Sequence, residues 1–218
     1  MRNIRATRLT MPVLICALAI AANLLVILFR SLLWLPLFVD TVFTAAVTFS
    51  MGLVPGLVVA TLTWAADGFL WRVQPFHPFL LVAIAEVFIV HALKPASPDV
   101  ARLPQSYASK TDRKMLAIYR IFLRLILIYA ACVIAASVLG GIIDLVYHAM
   151  LGAERPSYIA INAIMMALMQ GGAHELPAGI FSRIQVNMID RLVVVFGGYL
   201  VSRGIARVIE GKQMESQT

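Results

Sequence analysis

His174 and Glu175 stand side by side and open a pattern that could hold a metal. A zinc protease needs H-E-x-x-H on one helix, because histidines four apart share a face and the glutamate between them serves as base. Position 178 is Ala178, so the second ligand is missing. His77, His91 and His148 show no ligand spacing, no serine sits in G-x-S-x-G, and no glycine-rich phosphate loop follows a strand pattern. Enzymatic chemistry is therefore not expected of this chain, and no cofactor or metal is expected either. Cys16 and Cys132 both lie in apolar runs, as small packing residues do, and not in a metal or disulfide framework.

The more informative polar residues are those inside apolar runs, where they are costly to keep. Glu86 is the one carboxylate in the run 76–93. It is either a ligand, proton or partner contact, or a hydrogen-bonded structural carboxyl between helices. Asn23 reads as an interhelical hydrogen bond. Arg113, Arg120 and Arg124 fall on one helical face, which suits snorkelling to headgroups or docking to a cytosolic partner. Asp40, Trp64, Asp67, His174, Glu175, Asn187 and Asp190 fall toward one end of the expected bundle, as do Trp71, Arg72 and His77. Each has a plain explanation, such as a helix cap for Asp40 or an interface anchor for Trp64. Together they are the donors, acceptors and aromatic faces that furnish a small-molecule pocket, with 156–186 as its lid.

These residues must be positioned by membrane helices. The chain has 218 residues, 61% hydrophobic and only 13% charged, with mean hydropathy +0.89. Soluble domains carry about 25% charged residues. A net charge of +7 could point to nucleic acid. The basic residues, however, sit beside the ends of apolar runs, as positive-inside sorting requires, so nucleic acid is not expected as a partner. An N-terminal arm with Arg2, Arg5 and Arg8 precedes the first run, and Ala19-Ile20-Ala21 resembles a cleavage site. The run continues unbroken to Phe29, so an uncleaved first helix is expected.

Apolar runs predict spans at about 11–30, 40–51, 53–71, 76–93, 115–143 and 187–209. Gly52, Pro55 and Gly56 punctuate the stretch 41–66. The arm and the loop 94–114 are both basic and therefore both cytoplasmic, which demands an even number of crossings between them. The stretch must then be two short spans joined by a turn. The tail, with Arg203, Arg207 and Lys212, is cytoplasmic by the same rule. The expectation is an all-α integral membrane bundle of six transmembrane helices in the cell membrane, a single polytopic domain with both termini cytoplasmic. Region 144–186 is extracytoplasmic.

Three stretches carry a resemblance. Residues 17–23 read ALAIAAN, residues 35–44 read LPLFVDTVFT and run into GLVPG at 52–56, and residues 187–192 read NMIDRL. Together they resemble the substrate-binding S-components of energy-coupling-factor importers. That resemblance implies capture of a vitamin-like nutrient from outside and docking to a membrane coupling subunit driven by two cytosolic ATPases. It also implies that Ala17 and Ala21, four apart on helix 1, lie on a docking face. Close packing within this chain is the alternative for that pair. A membrane ligand-sensing unit of a signalling system is the competing class.

Overall fold

The computed structural model describes residues 2–33, 39–70, 78–95, 110–151 and 159–215. Among them every regular element is helical: α1 (Arg2–Leu33), α2 (Val42–Met51), α3 (Leu53–Leu70), α4 (Leu80–Leu93), α5 (Lys110–Leu151), α6 (Ile159–Gln170), α7 (Glu175–Leu192) and α8 (Gly198–Glu215). A 3-10 turn, Val39–Thr41, leads into α2, and a π turn, Val193–Gly197, joins α7 to α8. Four segments are long and apolar enough to cross a membrane: Thr10–Phe29, Leu53–Leu70, Lys114–Val146 and Glu175–Gly211.

The reversal expected at 51–56 falls on Gly52, whose φ of 100° lies in the region that favours glycine. It folds α2 back against α3, and Val47 meets Val59 beside Ala19 of α1. Ala60 of α3 meets Ala83 and Val87 of α4, with Trp64 against them. At 1.5 Å per residue, α2 is about 15 Å long and α4 about 21 Å, both shorter than a bilayer core of about 30 Å. The helices around them are longer than the apolar runs indicated. α5 continues to Leu151, beyond the expected limit at 143. The last helix begins at Glu175 and not near 187, and runs through the π turn into α8. Residues 175–186, expected as part of a lid, form the first half of α7, which packs along α5 and α6.

Small residues set the closest approaches. A Cβ on Gly198 would lie 2.9 Å from the Ala45 Cβ and 3.0 Å from the Val42 carbonyl oxygen. One on Gly141 would meet the Ile180 Cγ1 at 2.7 Å. Without the bulk of side chains there, α8 closes on α2 and α7 on α5. In lipid such close packing drives association, because apolar side chains gain nothing from leaving water.

Contacts between helix ends define one pole of the bundle. Ile15 and Cys16 of α1, Met51 of α2 and Ile205 of α8 pack against one cluster. Gly52 faces His91 and Lys94, and Leu93 packs with Ile121 and Leu125 of α5. The stretch of α1 around Ile15 and Cys16, the Gly52 turn, the end of α4, the N-terminal half of α5 and the stretch of α8 around Ile205 therefore share one pole. The opposite pole carries α6 and the start of α7.

Candidate functional site

α7 is inside out for a water-soluble helix. Its apolar residues Phe181, Met188, Ile189 and Leu192 are exposed, whereas Ser182, Arg183, Asn187, Asp190 and Arg191 are buried. Residues 183, 187 and 191 are spaced by four, so they line one face. That face turns into the bundle and meets polar partners on three other helices.

At one level, Arg183 pairs with Asp144 of α5 through Nη2, and its Nε donates to Asp144 Oδ2 at 3.1 Å. The guanidinium also lies 5.2 Å from the ring centre of Phe79, a cation–π geometry. A Cβ on Gly140 would sit 3.0 Å from the Arg183 Nη1, so glycine makes room for this side chain. One turn further along, Asn187 Nδ2 donates to Ser137 Oγ of α5 at 2.9 Å.

The next turn holds the most charged part of the interior. Arg191 pairs with Glu86 of α4 through Nη1. Thr41, at the start of α2, sits between them: its hydroxyl donates to the Glu86 carboxylate at 3.1 and 3.3 Å and accepts from Arg191 Nη1 at 3.4 Å. Three helices meet through these three side chains. Asp190 and Asp40 are the sequence neighbours of Arg191 and Thr41. All five residues are buried. Moving an isolated charge to the centre of a membrane helix costs about 2.5–3.5 kcal/mol on insertion scales. Pairing and the threonine bridge offset that cost only while every partner stays in place. Immediately beyond Arg191 the chain enters the π turn, a form that often marks functional sites.

The seven residues expected to form a pocket divide. Asp40 and Asp190 are buried, next in sequence to Thr41 and Arg191, and Asn187 lies one turn before Arg191, paired with Ser137. Trp64 and Asp67 remain on α3 and are half-buried, Trp64 being packed against the Ala60–Ala83–Val87 cluster. His174 is exposed at the position preceding α7, and Glu175 is half-buried in its first turn. Trp71, Arg72 and His77, and most of loop 94–114, lie outside the described residues. Glu86 was legible as an outlier, but the identity of its partner was not. Arg183 and Arg191 stand out in the sequence among the polar residues around the entry to the last helix, and Arg191 reads as pairing with a neighbouring helix, as it does with Glu86; Thr41 and Asp144 were missed. For Asp144 the signal was a charge at the end of an apolar run, since opposite signs must meet there; the neutral Thr41 carries no such signal.

Two further expectations bear on the site. Asn23 makes interhelical bonds: its Nδ2 donates to Thr44 Oγ1 at 2.9 Å and to Thr63 Oγ1 at 3.4 Å, and its Oδ1 accepts from the Phe43 amide at 3.3 Å. It clamps α1 to α2 and α3. Ala17 and Ala21 are exposed, on the face of α1 opposite the buried Ala19, Asn23 and Ile27. No group of three or more His, Cys, Asp or Glu side chains among the described residues could hold a metal ion.

No protein-family model matches the chain, and no curated protein or solved structure is similar to it.

Proposed function

We propose that the chain is the substrate-binding membrane subunit of an energy-coupling-factor type importer, which captures a small vitamin-like molecule and presents it to an ATP-driven coupling module. The observation that carries this reading is the inward polar face of α7, with its partners on α2, α4 and α5. In a bundle that only filled a membrane these groups would serve solely to hold helices together. A polar ligand, in contrast, can exchange hydrogen bonds with Arg191, Asn187 or Arg183 without leaving any of them bare. In this reading α2 and α4 complete six spans, the basic pole and both termini are cytoplasmic, and the α6 pole faces outside. The exposed Ala17–Ala21 face of α1 is then the surface met by the coupling subunit, whose cytosolic ATPases supply the energy.

The test is a ligand screen on purified protein, read as thermal stabilisation, because a ligand that prefers the folded state raises its apparent stability. A vitamin-like compound should stabilise the wild type, and Asn187→Ala should weaken that response. Absence of stabilisation across water-soluble vitamins and their precursors would overturn the reading. Stabilisation by a compound that cells expressing the chain do not accumulate, even beside a coupling module, would assign the site to sensing.

A further inference from the structure

We infer that the inner stretch of α5, Lys114 to Leu127, is a binding site for the headgroups of anionic phospholipids. The starting point is where positive charge reaches the surface. Among residues whose side chains are described, Arg183 and Arg191 are buried in ion pairs. The remaining Lys and Arg side chains are Lys94, Lys114, Arg120, Arg124, Arg203 and Arg207, and all six belong to the pole defined by the Gly52 turn. Glu210, exposed on α8, is the acidic side chain described near them.

The neighbours of these charges decide which partner fits. Arg120 and Arg124 are one helical turn apart and both exposed. Between and beside them Tyr119, Phe122, Leu123 and Leu127 are exposed too, at 57%, 51%, 46% and 54%. A surface kept for a cytosolic protein would hold those apolar side chains in water until the partner arrived. A surface at the boundary of a bilayer does not: the apolar side chains enter the acyl region while the guanidiniums reach the headgroups. α5 is about 63 Å long against a bilayer core of about 30 Å. Its inner turns must therefore cross the headgroup layer at a slant or protrude through it. Guanidinium binds phosphate through paired N–H groups as well as by charge, which favours a held lipid over a diffuse ion cloud.

Retained lipid can be counted directly. The full chain is exchanged into micelles containing equal amounts of phosphatidylglycerol and phosphatidylcholine, and bound lipids are identified by native mass spectrometry. Phosphatidylglycerol should be enriched, and Arg120→Gln with Arg124→Gln should lower the enrichment by about fivefold for each charge removed. Arg120→Lys with Arg124→Lys should keep most of it. If the glutamine pair does not fold, the wild type still tests the inference: in about 1 M salt, where screening acts within ~3 Å, the enrichment should fall toward none. Equal retention of the two lipids, enrichment that salt leaves unchanged, or a glutamine pair as selective as wild type would each overturn it. Equal retention would assign the cationic pole to a cytosolic protein instead.

Discussion

Val90 and Glu86 are one turn apart on α4, and Val195 and Arg191 are one turn apart across the start of the π turn. Toward the basic pole, Val90 and Val195 join Leu125, Ile128 and Cys132 in an apolar cluster. One turn toward the other pole, the same faces carry Glu86 and Arg191, bridged by Thr41. The two regions share helices, burial and neighbours, and differ in what each side chain requires. An apolar contact can be replaced by another of similar volume, whereas a buried charge needs its own partner. The apolar half therefore behaves as scaffold. The charged half holds several helices in one arrangement that depends on all its members.

The largest expected effect tests that difference. Glu86→Ala or Arg191→Ala alone leaves a buried charge without its partner, and each should lower stability by about 3–5 kcal/mol. Glu86→Leu combined with Arg191→Met replaces the pair with apolar groups of similar volume and should be far less damaging than either single change. Unfolding of detergent-solubilised protein by denaturant checks this. A double variant as unstable as the singles would show that the pair contributes through more than mutual charge.

The next largest effect concerns close approach. Gly198 faces α2, and a Cβ there would lie 2.9 Å from that of Ala45. Gly204, two turns on in the same helix, has nothing within 4 Å of such a Cβ. Gly198→Leu should cost about 1–3 kcal/mol through overpacking. Gly204→Ala should be neutral or gain up to ~1 kcal/mol from helix propensity. Equal effects at the two positions, in the same unfolding measurement, would mean that α8 does not close on α2 as described. A smaller loss is expected at Asn23, which has three partners. Hydrogen bonds between membrane helices average about 0.6 kcal/mol and reach about 1.7, so Asn23→Ala should fall in that range, well short of the loss at Glu86.

What could be read from the chain follows from the range of each signal. Helical character, the membrane class and the turn at Gly52 are local, written in run length and glycine placement. Asn23 was legible because a lone amide in an apolar run needs a partner in a neighbouring helix. The pairs Glu86–Arg191 and Asp144–Arg183 join residues 105 and 39 positions apart, and no local pattern specifies them. The start of α7 was hidden for a different reason. Its polar residues alternate with apolar ones, so 175–186 reads as a surface segment on average hydropathy. Only the inverted face pattern, polar residues inward and apolar outward, reveals it as a helix in lipid. Averaging over a window removes that information, while helical phase retains it.

The smallest expected effect on stability falls on the face of α1 that points away from both regions. Ala17 and Ala21 are exposed beside Leu14, Leu18 and Leu25, while Ala19, Asn23 and Ile27 hold the opposite face in the bundle. Ala17→Leu with Ala21→Leu adds bulk where the described residues offer nothing to collide with, so stability should change by less than about 0.5 kcal/mol. In lipid, two alanines four apart leave a shallow groove through which another helix can approach closely, and leucine fills it. If α1 is the surface met by a coupling subunit, the double variant should fold and respond to ligand like the wild type, yet fail to co-purify with that subunit. Leu14→Ala serves as the control, because it widens the groove and should leave association intact. A double variant that still co-purifies would remove α1 from the interface, while one that unfolds readily would show that this face is covered from within the chain.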